Sequence, residues 1–223
     1  MDAPTRPRQE REFADLTAWL WATPNSNRVS ILFEELELPY RVIGVNIRRR
    51  EQFEPDILAM NPYGKIPIVA WSEGGDRHVM FESGAILIAF AERFGRFLPA
   101  SGASRSECLA WLMVGLTGLG PMTGQAHHWT DLAPEKSDVA VQHTVSAVKR
   151  IYTVLDGRLA QGMFLAGDYS IADIAAYPWV HRHSWATIAM EPYPHVARWL
   201  ADVGARPAVQ RGMALPAGAK LEG

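Results

Sequence analysis

The turn Thr23-Pro24-Asn25-Ser26-Asn27-Arg28 is rich in hydroxyl and amide side chains and separates an apolar run, Trp19 to Ala22, from an amphipathic one, Val29 to Leu38. A polar turn that opens a helix aims several backbone N–H groups at one point, beside the positive end of the helix dipole, and so favours an anion there. Two further turns carry chemistry. Gly64-Lys65-Ile66-Pro67 precedes a short apolar strand, and Phe81-Glu82-Ser83-Gly84 precedes another helix. Thr23 is placed to cap its helix with Pro24 at the first helical position. Asn25 then remains as a donor, with Ser26 and Asn27 as alternatives in the same turn. Ser83 reads as an N-cap beside Glu82.

The elements that must hold these turns follow from hydrophobic periodicity. Thr17 to Trp21 predicts a strand, and Val29, Leu32, Phe33 and Leu36 share one face of a helix. Tyr40 to Val45 predicts a second strand, and Phe53 to Met60 a short helix or turn. Ile66 to Trp71 and His78 to Phe81 are strands joined by the hairpin signal Ser72-Glu73-Gly74-Gly75-Asp76. Ala85 to Phe94 is helical and stops at Gly95. The order β-α-β-α-β-β-α implies a small mixed sheet covered by helices.

Beyond the linker Leu98 to Ala103 only helical patterns appear. Ser104 to Leu119 is one, weakened or bent at its end by Gly115, Gly118, Gly120 and Pro121. Glu135 to Leu159 is another, with Val141, Val145, Val148, Tyr152 and Leu155 on one face. Ser170-Ile171-Ala172-Asp173 predicts a capping box, with Tyr169 and Ile174 placed as a hydrophobic staple. Two more helices are expected over His195 to Val203 and Ala208 to Met213. The expected organisation is an arm over 1–16, an α/β domain over 17–98 and an all-α domain over 104–213.

Composition narrows the function. A formal charge of −2 argues against nucleic-acid binding, and the one dense basic run, Arg48-Arg49-Arg50, reads as a solvated loop. The single cysteine, Cys108, excludes an internal disulfide and fits a reducing compartment; it lies in an apolar helical stretch and reads as a buried spectator. The chain has no run long and apolar enough to span a membrane, and its first twelve residues do not resemble a secretion signal, so a cytoplasmic location is expected. His127-His128, His181 and His183 lack a completing carboxylate or cysteine pattern, and no metal role is expected of them. Gly118 to Gly124 lacks the ending of a phosphate loop and should let helices approach closely.

With these motifs in this order, residues 17–213 resemble the glutathione transferase superfamily, and within it the bacterial nu class of glutathione-dependent disulfide-bond oxidoreductases. The resemblance is carried by Thr-Pro-Asn at 23–25, Phe-Glu-Ser-Gly-Ala-Ile at 81–86, Gly-Leu-Gly-Pro-Met-Thr-Gly-Gln-Ala-His-His at 118–128 and Tyr-Ser-Ile-Ala-Asp-Ile-Ala at 169–175. It implies a thioredoxin-like domain followed by a helical-bundle domain, a homodimer, and glutathione as co-substrate with no metal.

The resemblance also assigns roles. Ile66, before a cis proline, would hold the cysteinyl portion of glutathione by main-chain bonds. Ser83 and the helix start behind it would take the γ-glutamyl carboxylate, and Glu82 its ammonium. Gln52 and Lys65 would approach the peptide or its glycyl end. Thr23 and Asn25 would stabilise the thiolate of a sulfur whose free pKa is about 8.5. With no protein thiol in the turn, bound glutathione is the nucleophile; Tyr63 lies on the wrong side of the proline motif for a tyrosine-type transferase. Where the nu class carries arginine in the helix after the His-His segment, this chain has His143, expected to be a weaker anchor at neutral pH. Besides disulfide reduction, the same fold suits attack on an electrophilic carbon, or a non-enzymatic glutathione-binding role.

Overall fold

The computed structural model describes Phe13 and residues 15–219, so the expected arm lies almost wholly outside the described residues. The chain divides into two compact units. Residues up to Phe90 join with those from Pro207 onward in one, and Ala91–Arg206 form the other. The division falls before the expected linker, Leu98 to Ala103, and the final helix returns to the first unit.

In the first unit, β1 (Thr17–Leu20) lies between β2 (Arg41–Gly44) and β3 (Ile68–Glu73), and β4 (Asp76–Phe81) forms the far edge. The β1–β2 pair is parallel, with Thr17 opposite Arg41, whereas β3 is antiparallel to both β1 and β4. A parallel neighbour needs a crossover. Helix α1 (Pro24–Glu35) supplies it, whereas β3 and β4 need only the Gly74-Gly75 turn. The predicted element order is borne out.

Below one sheet face, Trp19, Ile68 and Ala70 pack with Ile57 of helix α2 (Pro55–Met60). Helix α1 buries Val29, Leu32 and Phe33, and the Phe33 ring packs at a tilt against Phe90 of helix α3 (Ser83–Phe94) with ring centroids 4.7 Å apart. Phe90 also meets Phe13 and Trp71. These rings lock the two helices whose starts carry the polar turns.

The last described helix, α9 (Pro207–Met213), lies against α1. Asn27 Nδ2 and Ser30 Oγ both donate to the Gly212 carbonyl, at 3.2 and 2.7 Å. A Cβ on Gly212 would stand 2.6 Å from the Ile31 backbone, which cannot give as a flexible side chain can. Gly212→Ala is therefore expected to cost about 2–3 kcal/mol by forcing the two helices apart. A melting experiment checks this; an unchanged midpoint would show that the helices separate freely.

The second unit is helical, with only two isolated β-bridges around Phe164–Asp168. Its helices are α4 (Gly102–Met113), α5 (Gly120–His127), α6 (Asp138–Leu159), α7 (Ile171–Val180) and α8 (Pro194–Gly204). The expected weakening near Gly115–Pro121 takes the form of a π-helical stretch, Val114–Leu119, rather than an end. Pro121 does not stop the chain because it sits in the first turn of α5, where a missing N–H is cheap. A second π-helical stretch, His128–Leu132, follows α5. A Cβ on Gly115 would lie 3.7 Å from Ala175 Cβ and one on Gly124 3.5 Å from the Trp179 ring, ordinary contact distances, so the helix approach expected of this segment does not require glycine at these two positions.

On α6 the buried face runs through Thr144, Ala147, Val148, Tyr152 and Leu155, leaving Val141 and Val145 only half-buried. The capping box at Ser170 is present. Asp173, fully buried, accepts from Ser170 N and Oγ, from Leu165 N, and from Trp199 Nε1 at 2.9 Å. The Tyr169 ring packs edge-on against Phe97 and Phe164. No described helix is long and apolar enough to cross a membrane.

Candidate functional site

Helix α1 opens as its sequence dictates. Thr23 is the N-cap in extended conformation, its Oγ1 accepting from Ser26 N at 3.3 Å, and Pro24 occupies the first turn. Thr23 Oγ1 also donates to Ser26 Oγ at 3.0 Å, which commits its one proton. Ser26 is buried, and its Oγ accepts from Trp21 N. Asn27, equally buried, turns its amide toward the Gly212 carbonyl. Asn25, the remaining donor of the four, is engaged elsewhere, through Arg28.

Asn25 Oδ1 accepts from Arg28 Nη1 at 2.8 Å, and the same nitrogen donates to Ser83 Oγ at 3.2 Å. One buried guanidinium, 3% exposed, therefore ties the start of α1 to the start of α3. Burial pulls its pKa down to about 9, opposed by the nearby Glu82 carboxylate, so it remains cationic at neutral pH. Sequence reading missed Arg28. Its signals were slight: it is the only basic residue of α1, and it stands three positions after Asn25, on the same helix face.

Glu82 adopts φ 71°, a left-handed conformation costly for a residue with a side chain. Its carbonyl accepts from Ile86 N, and its side chain is exposed at the start of α3. Ser83, by contrast, is buried. The helix begins at Ser83, so Glu82 rather than Ser83 holds the capping position.

The third turn has its own scaffold. Buried Asn61 donates to the Lys65 carbonyl at 2.6 Å and accepts from Tyr63 N, which fixes the loop before the cis Ile66–Pro67 bond. Lys65 is exposed, its Nζ 3.0 Å from Tyr63 Oη and above that ring. Gln52 lies in a 3-10 turn, Glu51–Phe53, and its Oε1 is buried with no hydrogen-bond partner among the described residues. A buried acceptor left without a donor is costly, and the amide N–H of an extended peptide would satisfy it.

Thus Asn25, Ser83 and Glu82 share the surroundings of Arg28, while Gln52, Lys65 and Ile66 belong to the adjoining 51–67 segment of the same unit. The arrangement offers an amide, a hydroxyl and two helix starts to anions, with a carboxylate for a cation. The remaining candidates lie in the second unit. Cys108 is fully buried, and desolvation pushes its thiol up, which suppresses the thiolate. His127 stacks on Trp185 with centroids 4.3 Å apart and meets Asp131; His183 Nδ1 lies 2.7 Å from the Ile188 carbonyl. His143 is exposed on α6.

Residues 22–93 match the glutathione S-transferase N-terminal domain and residues 111–207 the glutathione S-transferase C-terminal domain. The chain is 40% identical over 195 residues to the disulfide-bond oxidoreductase YfcG of Escherichia coli, covering 86% of this chain and 91% of that one. It is 39% identical to the disulfide-bond oxidoreductase YghU of the same organism, covering 85% and 71%. Among solved structures, a glutathione transferase from Burkholderia graminis with two glutathione molecules bound per subunit superposes with TM-score 0.86 at 34% identity, covering 97% of this chain and 92% of that one. One from Pseudomonas putida, with one glutathione disulfide bound per subunit, gives 0.86 at 33% identity, covering 96% and 94%.

Proposed function

Because the chain belongs to the glutathione S-transferase family, we propose that it is a glutathione-dependent disulfide-bond reductase, working as a homodimer on small exogenous disulfides. The observation that carries this reading is the Asn25–Arg28–Ser83 junction, in which an amide and a hydroxyl at two helix starts meet one buried guanidinium in one unit. The names of the relatives YfcG and YghU, both disulfide-bond oxidoreductases, support it further.

Glutathione is read as a substrate lying extended across the first unit. Its γ-glutamyl carboxylate meets Ser83 and the start of α3, and its ammonium meets Glu82. The cysteinyl backbone pairs with Ile66, a peptide N–H satisfies Gln52, and Lys65 swings from Tyr63 toward the glycyl carboxylate. Asn25 and the α1 start stabilise the sulfur as thiolate, with Thr23 contributing when its proton turns away from Ser26. Each unit of lowered thiol pKa corresponds to about 1.4 kcal/mol of such stabilisation.

The thiolate attacks one sulfur of the disulfide, forming a glutathione mixed disulfide and releasing the other half as a thiolate. A second glutathione thiolate attacks the glutathionyl sulfur of that species, giving glutathione disulfide and the second thiol. The substrate gains two electrons, both supplied by the glutathione pair, and the two thiol protons end on the released thiols. No protein sulfur is needed, in keeping with the buried Cys108.

Turnover of hydroxyethyl disulfide compared with that of an aryl halide, at equal glutathione, tests the reaction class. Greater turnover of the disulfide is expected. Greater turnover of the halide would replace this reading by conjugation at carbon, and tight glutathione binding without either turnover would replace it by a sensing role. Absence of binding to both reduced and oxidised glutathione would remove it altogether. Light scattering at twice the chain mass is expected for the dimer.

A further inference from the structure

Resting on that reading of the site, we infer that Arg28 is a positioning residue that turns Asn25 and Ser83 into obligate hydrogen-bond donors toward the bound tripeptide. Arginine has no hydrogen-bond acceptor. A guanidinium carries only donors, so any group it touches must accept. Asn25 has an accepting and a donating end, and Oδ1 is the end that faces Arg28 Nη1 at 2.8 Å. The Nδ2 end therefore points the other way and meets whatever lies there as a donor. Flipping the amide would set N–H against N–H in a half-buried turn, a penalty of roughly five- to a hundred-and-fiftyfold.

Ser83 follows the same logic with a single proton. Its Oγ already accepts from Arg28 Nη1 at 3.2 Å, so its hydrogen is directed to another acceptor. For a ligand carrying a thiolate at one end and a carboxylate at the other, both groups now present hydrogen. Because one nitrogen serves both, the two orientations are coupled across the helix starts.

Arg28 does this without touching the ligand itself, since it is 3% exposed. A purely structural role explains its placement poorly. Burying a cation is expensive, and an apolar side chain of similar volume would cost the fold less. Lysine, another pure donor, keeps the same instruction, whereas glutamine offers both a donor and an acceptor and removes it.

The test uses the full chain as Arg28→Gln and Arg28→Lys, with two readouts that do not depend on turnover. One is the ultraviolet absorbance of the glutathione thiolate against pH; the other is calorimetric affinity for S-methylglutathione, which has no thiol and reports the γ-glutamyl end. Arg28→Gln is expected to leave about tenfold less thiolate at neutral pH and to weaken S-methylglutathione about tenfold. Arg28→Lys should stay within about threefold of the parent in both. Equal behaviour of the two variants, or a Gln variant matching the parent, overturns the proposal. Should Arg28→Gln fail to fold, the Asn25 side-chain amide resonance of the parent decides: it must shift more with glutathione at high pH than with S-methylglutathione, and no difference overturns the inference. If the parent binds neither tripeptide, the glutathione reading fails instead, which is a separate outcome.

Discussion

Asn25→Asp is expected to cut disulfide turnover at neutral pH by about a hundredfold or more while leaving the melting temperature unchanged or higher. The substitution changes no volume. One carboxylate oxygen keeps the Arg28 contact now made by Oδ1, and the buried guanidinium gains an anionic partner. On the proposed placement of glutathione, the other oxygen stands where the amide NH2 stood and faces the sulfur with negative charge instead of a proton. Two like charges about 4 Å apart, at the effective dielectric of a half-buried site, repel by about 2–4 kcal/mol, or roughly 1.5 to 3 units of thiol pKa. Either the sulfur stays protonated or the new acid does, and both slow the attack. Thiolate absorbance of the bound tripeptide reads the effect directly. If the aspartate variant retains parental thiolate at neutral pH, Asn25 does not face the sulfur.

The second large effect belongs to stability. Asp173→Asn is expected to lower stability by about 3–5 kcal/mol, a fall in melting midpoint of about 10 °C or more. The reason lies in the company of the carboxylate: Leu165 N, Ser170 N, Ser170 Oγ and Trp199 Nε1 all approach it, and three of the four can only donate. Burial pushes the Asp173 carboxyl above its ordinary range, and these donors pull it back. An amide of the same shape presents two hydrogens where acceptors are required, so at least one buried N–H is left unpaired. Thermal denaturation of the two variants side by side separates the predictions: aspartate at 25 should spare the midpoint, and asparagine at 173 should not.

The legible part of the fold was the part governed by local chemistry. Thr23-Pro24 and the Ser170-Asp173 box announce helix starts because capping satisfies backbone N–H groups within three residues of the cap. Gly74-Gly75 announces the hairpin, and the apolar run of β1 is buried at every residue. Less legible were the buried face of α6, where small Thr144 and Ala147 replace the expected valines, and the π-helical stretches around α5. Periodicity weights bulky apolar residues, so it overlooks a face built from small ones packed closely.

For the site, residue types marked Thr23, Asn25, Glu82 and Ser83 as polar groups at helix starts, where capping is their ordinary use, and the family resemblance assigned them to glutathione. Their selection among alternatives came from elsewhere. Asn27 is withdrawn by the carbonyl of Gly212, a residue 185 positions away along the chain, and Arg28 is recruited by Ser83, 55 positions away. By itself, then, the sequence determined which turns could receive an anion and which helices would carry them, since those depend on neighbours a few residues apart. The tertiary structure alone decided that Asn27 turns to Gly212, that Arg28 is buried between the turns and that the Gln52 acceptor is left unsatisfied. A hydrogen bond commits a group only when its partner arrives, and here the partners come from distant stretches of chain.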